Sequence, residues 1–243
     1  MSKKFRVIVA DPPWPFADKL VMSDVARGAE ANYDVMSIDD IKNLPMRKYT
    51  TPDGAILALW VPSSLLQEGL DTMKAWGFAH KQTYVWVKIK KDPIAELRNI
   101  FFDFWRDSGK KISDLKEKGF RAYLDNSAEL INIIDFTKGK AFVQDMLAFG
   151  MGRLFRQTHE ICLIGTSNNK IYQMLKNKSQ RSVCFAENLK HSAKPENLQD
   201  SLDMMFPKAK KLELFARRHR KGWLCLGNEI CDGEDIRDSL AKL

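Results

Sequence analysis

The stretch Phe5-Arg6-Val7-Ile8-Val9-Ala10-Asp11-Pro12-Pro13-Trp14 decides the fold. Residues 5–10 are β-rich. Pro12 and Pro13 lack the N–H that a ladder needs, so the strand stops at Asp11. A strand ending in an acidic turn is the usual seat of ligand chemistry in an open α/β sheet. Outward from this point, residues 14–36 read as a long loop of the lid type. Ser37-Ile38-Asp39-Asp40-Ile41 reads as a helix start, with Ser37 as cap and Asp40 at capping-box spacing. Ala55–Val61 is a buried strand. Ser63 or Ser64 then caps a helix through Met73, which Gly77 closes. Gln82–Lys88 and Glu160–Gly165 are strands, Pro195–Met205 is a helix, and Lys211–Ala216 and Trp223–Leu226 are strands. This alternation predicts an α/β protein with a mostly parallel sheet. Ser182–Pro195, which holds His191, reads as a second lid-type loop.

Residues 91–150 break the alternation. Pro93–Asp107, Ser113–Lys118 and Asn126–Phe136 are helix candidates, and the stretch carries ten basic and ten acidic side chains. We read it as a helical insertion in a single domain over 1–243, serving target recognition or subunit contact. Its balanced charge speaks against a simple phosphate-binding arm.

Composition narrows the class. The 243 residues are 44% hydrophobic and 29% charged, which excludes a disordered chain and allows a sizeable core without staples. No apolar run approaches the ~20 residues of a membrane span, and no signal peptide is evident, so no membrane partner and a cytoplasmic setting are expected. Cys162, Cys184, Cys225 and Cys231 are scattered without zinc spacing, so no metal is expected and the thiols read as buried or free. The net charge is +8, and residues 151–243 hold 17 basic against 11 acidic side chains. The excess concentrates in Lys208–Lys221, with seven basic residues and one acid. A nucleic-acid partner and a solvated face both explain such a cluster.

The residues of the turn suggest their chemistry. A rigid Pro-Pro turn leaves carbonyl acceptors without competing donors, beside a carboxylate and a large aromatic face. That set suits a planar base with an exocyclic amino group. Asp11 accepts one N–H, the Pro12 carbonyl accepts the other, and Trp14 stacks on the ring, an interaction worth about 1–3 kcal/mol per base. A proline-rich turn capped by a core tryptophan is the structural alternative.

The chain resembles the DPPW-type adenine-N6 methyltransferases, a family with eukaryotic mRNA enzymes and bacterial and phage DNA enzymes. The resemblance rests on ordered stretches: VIVADPPW at 7–14, YDVMSIDDI at 33–41, ILALWV at 56–61, AWGF at 75–78, VWVK at 85–88, RQTHEICLIG at 156–165, HSAKPE at 191–196 and KLELFARRHRKGWLCLGNE at 211–229. It implies a Rossmann-like S-adenosylmethionine-dependent methyltransferase fold in permuted order, with the catalytic strand first and the main cofactor strand last. It implies methyl transfer to N6 of adenine in nucleic acid, DNA rather than RNA in our reading, with Asp11, Pro12, Pro13 and Trp14 as the catalytic set. Asp11, Lys194, Phe215, Arg217, His219, Arg220, Asn228 and Glu229 fall at cofactor-binding positions. Lys194 matches the lysine that meets the cofactor's carboxylate, a point-charge role. Trp14 and Tyr33 fall at target-binding positions, with a packing role as the alternative for Tyr33.

Two departures weaken single positions. The family often has an Asn near Arg220 and an amide near Glu229. Glu213 reads equally as structural or as part of the site. His159 and Glu160 match a family dipeptide that we read as structural. Trp60, Trp76 and Trp86 read as core. Lys208, Lys210, Lys211, Arg218 and Lys221 are candidate phosphate contacts. An RNA enzyme and a non-catalytic nucleic-acid-binding partner subunit are the alternative functions. A homodimer is left open, as is association with the nucleoid in a prokaryotic or phage setting.

Overall fold

The computed structural model describes residues 3–15, 35–91, 146–148, 150, 154–188, 193–230 and 233–243. Two compact units divide the chain. One comprises Met1–Trp86, Glu160–Cys184 and His191–Leu243; the other comprises Val87–His159 and Phe185–Lys190. The helices expected within 91–150, the first lid-type loop with Tyr33, and His191 lie outside the described residues.

Seven strands form one sheet: β1 (Val7–Ala10), β2 (Ile56–Val61), β3 (Ala79–Ile89), β4 (His159–Thr166), β5 (Val183–Glu187), β6 (Lys211–Leu214) and β7 (Trp223–Leu226). Their order is β5-β3-β4-β2-β1-β6-β7. The β1–β2, β1–β6 and β6–β7 pairs are parallel, while β4 runs antiparallel to β2. Every residue of β1 and β2 is buried. Strands covered on both faces read as continuous apolar runs, which is why VIVA and ILALWV were legible. Val183–Glu187 is a correction. It is an edge strand with exposed residues alternating around buried Cys184, not the start of a loop.

The helices are α1 (Ile38–Lys42), α2 (Met46–Tyr49), α3 (Leu66–Ala75), α4 (Asn197–Met205) and α5 (Ile236–Ala241). Ser37 caps α1 as expected, its Oγ accepting from Asp40 N at 3.0 Å. Ser63 and Ser64 do not cap α3. They form a 3₁₀ turn with Leu65, and α3 begins at Leu66 without a side-chain cap. Gly77 ends this region at φ +87°, a left-handed conformation that favours glycine. The sequence reading missed α5, which Asp235 caps, and it docks through Tyr49 OH donating to Leu240 O at 2.6 Å. The core gathers around β1, with Ile8, Ala10, Leu57, Leu59, Trp76 and Leu212 all buried. Trp60, Trp76 and Trp86 are each 1% exposed, in agreement with a core role.

Candidate active site

β1 has β2 on one side and β6 on the other, so the chain order reverses at β1 and a crevice opens at its exit. Asp11 follows Ala10 there directly. The parallel register pairs Ala10 with Leu214, which brings Phe215 to the same level. The antiparallel register pairs Val61 with Ile161 and brings the beginning of β4, with Glu160, to the same end of the sheet. A cleft at this point is lined by Asp11, Trp60, Lys194, Glu213, Phe215 and Arg217, among others.

Its centre is an ion triad. Lys194 Nζ lies 2.8 Å from Asp11 Oδ2 and 3.3 Å from Glu160 Oε2. The same ammonium stands 5.7 Å from the centroid of the Trp60 ring. Burial by itself pulls the Lys194 ammonium down, but Asp11 and then Glu160 outweigh it and leave it above its ordinary value. Lys194 is therefore cationic at neutral pH, and the triad carries one net negative charge. Cys162, beside it on β4, is held well above its ordinary value by burial and then by Asp11, so it is a neutral thiol.

The other wall is built by β6 and α4. Gln199 Nε2 donates to Glu213 Oε1 at 3.0 Å, and Gln199 Oε1 is buried without a partner. Burial pushes the Glu213 carboxyl up; Gln199, Arg218 and Arg220 pull it back, and Glu196 adds to the rise. Phe215 sits at φ +59°, the one left-handed non-glycine among the described residues. That conformation costs on the order of 1–2 kcal/mol and places a strained aromatic at the cleft.

The turn itself corrects part of the reading. The Pro12 carbonyl accepts from Trp14 N at 2.8 Å, and the Pro13 carbonyl from Met36 N at 3.0 Å. Pro12 retains one lone pair for a ligand, since a carbonyl has two. Trp14 is 4% exposed, belongs to the core cluster and donates Nε1–H to Trp60 O at 2.9 Å. It anchors the turn from beneath and presents no open ring for stacking.

Among the expected cofactor residues, Asp11, Lys194, Phe215 and Arg217 meet in one cleft. Glu229 joins through Arg217 at 3.4 Å. His219 and Asn228 are exposed near this turn. Arg220 is a correction, because its guanidinium binds Glu196, Asp200 at 2.6 Å and Asp203 at 2.8 Å, all on or beside α4. It also lies 6.0 Å from the Trp223 ring centroid. Arg220 is a clamp between α4 and the β6–β7 connection. Among the candidate phosphate contacts, Lys211 is buried and paired with Asp203 at 3.2 Å, and Arg218 pairs with Glu196 at 2.6 Å. Glu160, which the sequence reads as structural, belongs to the triad. Nothing in the sequence marks Gln199 or the cleft-lining place of Arg218.

These groups fit S-adenosylmethionine. Lys194 offers a cation to a carboxylate. Glu213 and the unpartnered Gln199 oxygen offer acceptors to ribose hydroxyls or an amino group, and the triad's negative charge suits a sulfonium. The enclosed part of the cleft is only about 40 Å³, so a cofactor would extend along the crevice past Arg217 and Glu229.

A crevice at the switch point of an α/β sheet, with the acidic Pro-Pro turn on its central strand, defines a Rossmann-like methyltransferase fold in permuted order. The MT-A70 family profile matches residues 5–105 and 100–229, and the chain belongs to the MT-A70 family. It is 24% identical over 229 residues to the Arabidopsis thaliana N(6)-adenosine-methyltransferase MT-A70-like protein, covering 93% of this chain and 24% of that one. It is 22% identical over 240 residues to the Homo sapiens N(6)-adenosine-methyltransferase catalytic subunit METTL3, covering 97% of this chain and 30% of that one. The Mycoplasma type II methyltransferase M.MunI is 24% identical over 247 residues, covering 96% of this chain and 80% of that enzyme. The chain thus spans less than a third of the length of the N6-adenosine methyltransferases it matches.

Proposed function

We propose that the protein transfers a methyl group from S-adenosylmethionine to N6 of adenine in nucleic acid. The carrying observation is the Asp11–Lys194–Glu160 triad at the exit of β1. Bound in the crevice, S-adenosylmethionine supplies a methyl group already activated on a positive sulfur. Asp11 accepts one N6–H, and the remaining lone pair of the Pro12 carbonyl accepts the other. The nitrogen lone pair is thereby turned toward the methyl carbon as the C–N bond forms and the C–S bond breaks. The surplus proton on nitrogen leaves through Asp11 to water. Lys194 bridges both carboxylates and offers its positive charge to the cofactor's own carboxylate. Its contact at 2.8 Å keeps Asp11 in place. Position and electrostatics supply the catalysis.

DNA is the target we favour. The type II methyltransferase relative is matched over 80% of its length, the N6-adenosine methyltransferases over far less. In a duplex the adenine has to leave the stack to reach the crevice. The 91–150 insertion is assigned to target recognition. The intact triad disfavours a non-catalytic partner subunit.

The test is mass spectrometry of nucleosides from DNA and RNA incubated with labelled S-adenosylmethionine. Wild type should yield N6-methyldeoxyadenosine, and Asp11→Ala should lose about 10²–10⁴-fold in rate, the span of a lost catalytic group. An Asp11→Ala enzyme of full activity would sink the mechanism, and methylation confined to RNA would overturn the choice of DNA.

A further inference from the structure

A second cavity, of about 320 Å³, lies at the other end of the sheet, between Ile56 at the start of β2 and Thr166 at the end of β4. Its floor is apolar, with Ile164, Ile171 and Phe206. Thr166 also lines it, is 4% exposed, and its Oγ1 has no partner. Lys81 and Lys178 stand on the rim, and no acidic residue lines the cavity among the described residues.

The surroundings are basic as well. The chain from Asn169 to Arg181 carries Lys170, Lys176, Lys178 and Arg181 and no acid. Lys176 N donates to Met205 O at 2.9 Å, which ties this segment to the end of α4. From there the chain passes through exposed Lys208 and Lys210 into β6. Among the described residues, none of Lys81, Lys170, Lys176, Lys178, Lys208 and Lys210 is paired with a carboxylate. Lys210 precedes β6, whereas Phe215 follows it. The strand register therefore puts this patch about 16 Å from the active crevice, at ~3.3 Å per residue.

We propose that this end of the sheet is a second nucleic-acid contact, separate from the methyl-transfer crevice. Phosphates lie on the lysines, and one unstacked base enters the cavity with its polar edge on the Thr166 hydroxyl. Charge complementarity selects a polyanion, and an apolar cavity with one unpartnered hydroxyl selects a base. The inference rests on the reading of the protein as an enzyme acting on nucleic acid.

The test is fluorescence anisotropy of a labelled oligonucleotide titrated across potassium chloride, with the full chain. Each phosphate contact contributes a log–log salt slope of about −0.9 on duplex and −0.7 on single strands. A Lys176→Glu, Lys178→Glu, Lys208→Glu, Lys210→Glu variant should lose about 3 from the slope and raise Kd and the KM for oligonucleotide at least tenfold. Its affinity for S-adenosylmethionine, read by calorimetry, should hold and so report an intact fold. Thr166→Val removes only the orphaned hydroxyl. It should weaken single-strand binding several-fold at an unchanged slope and should not lower Tm. Wild-type slope and KM in the quadruple variant overturn the contact, and wild-type single-strand affinity in Thr166→Val overturns the base seat. If the wild type binds oligonucleotides through these lysines but methylates none, the contact stands and the methyltransferase reading fails.

Discussion

Burial lifts the Glu213 carboxyl above its ordinary range, so the folded chain holds a proton there that the unfolded chain releases sooner. The sign follows from linkage. The contribution of Glu213 to stability is fully present below the ordinary glutamate value of about 4.3 and is lost as pH rises through the raised folded value. Glu213→Gln removes that penalty. In the absence of ligand at neutral pH the variant should melt at a higher temperature than wild type. Its affinity for S-adenosylmethionine should fall about tenfold or more, the cost of losing a charged hydrogen bond. Thermal melts between pH 5 and 8 read the first effect and calorimetry the second; parallel melts would contradict the burial argument. Asp11 and Lys194 were legible because local chemistry and ordered motifs carry them. Glu160 was not, because its neighbour Lys194 comes from elsewhere in the chain; the antiparallel β2–β4 register carries Glu160 to the end of the sheet where Asp11 stands, and Lys194 reaches it there from the segment before α4.

Elements are locked at this site by contacts that substitution can break one at a time. Arg220 joins the acids of α4 to Trp223 at the start of β7, and Trp223 Nε1 also donates to Asp203 at 3.0 Å. Arg220→Ala should cost about 1–3 kcal/mol in urea unfolding, as for a partly buried ion cluster that loses its cation. S-adenosylmethionine affinity should stay within about twofold; a large affinity loss at unchanged stability would return Arg220 to the cofactor site. Gly227, just beyond β7, has no room for a side chain. A Cβ there would stand 2.2 Å from Ala216 O and 2.7 Å from Ala216 N, against backbone that cannot yield cheaply. Ala216 N donates to Leu226 O at 2.9 Å, so a shift would also loosen the turn that carries Arg217. Gly227→Ala should lose about 2 kcal/mol or more in the same urea assay. Buried parallel strands were easy to read from their apolar runs. The edge strand β5 was not, since its exposed, alternating residues between charged neighbours look like a loop.

Across the whole molecule, the positive charge that the sequence concentrates in its last third is spent on three tasks. Lys194 and Arg217 stand in the crevice. Arg218, Arg220 and Lys211 neutralise the acids in and beside α4. Lys208, Lys210 and Lys221 are exposed, and they precede β6 and β7 at the end of the sheet opposite the crevice. A charge count cannot separate these tasks, because it sees neither partners nor sides. The sequence by itself determined the α/β class, the strand at Asp11, the family and the acidic turn with its lysine. Apolar runs, proline chemistry and motif order are local properties that survive without coordinates. The tertiary structure alone decided that Trp14 is an anchor, that Arg220 is a clamp and that Glu160 completes the triad. It also decided that a second basic surface faces away from the crevice. Each of these depends on which distant residues come within bonding range, and strand register sets that.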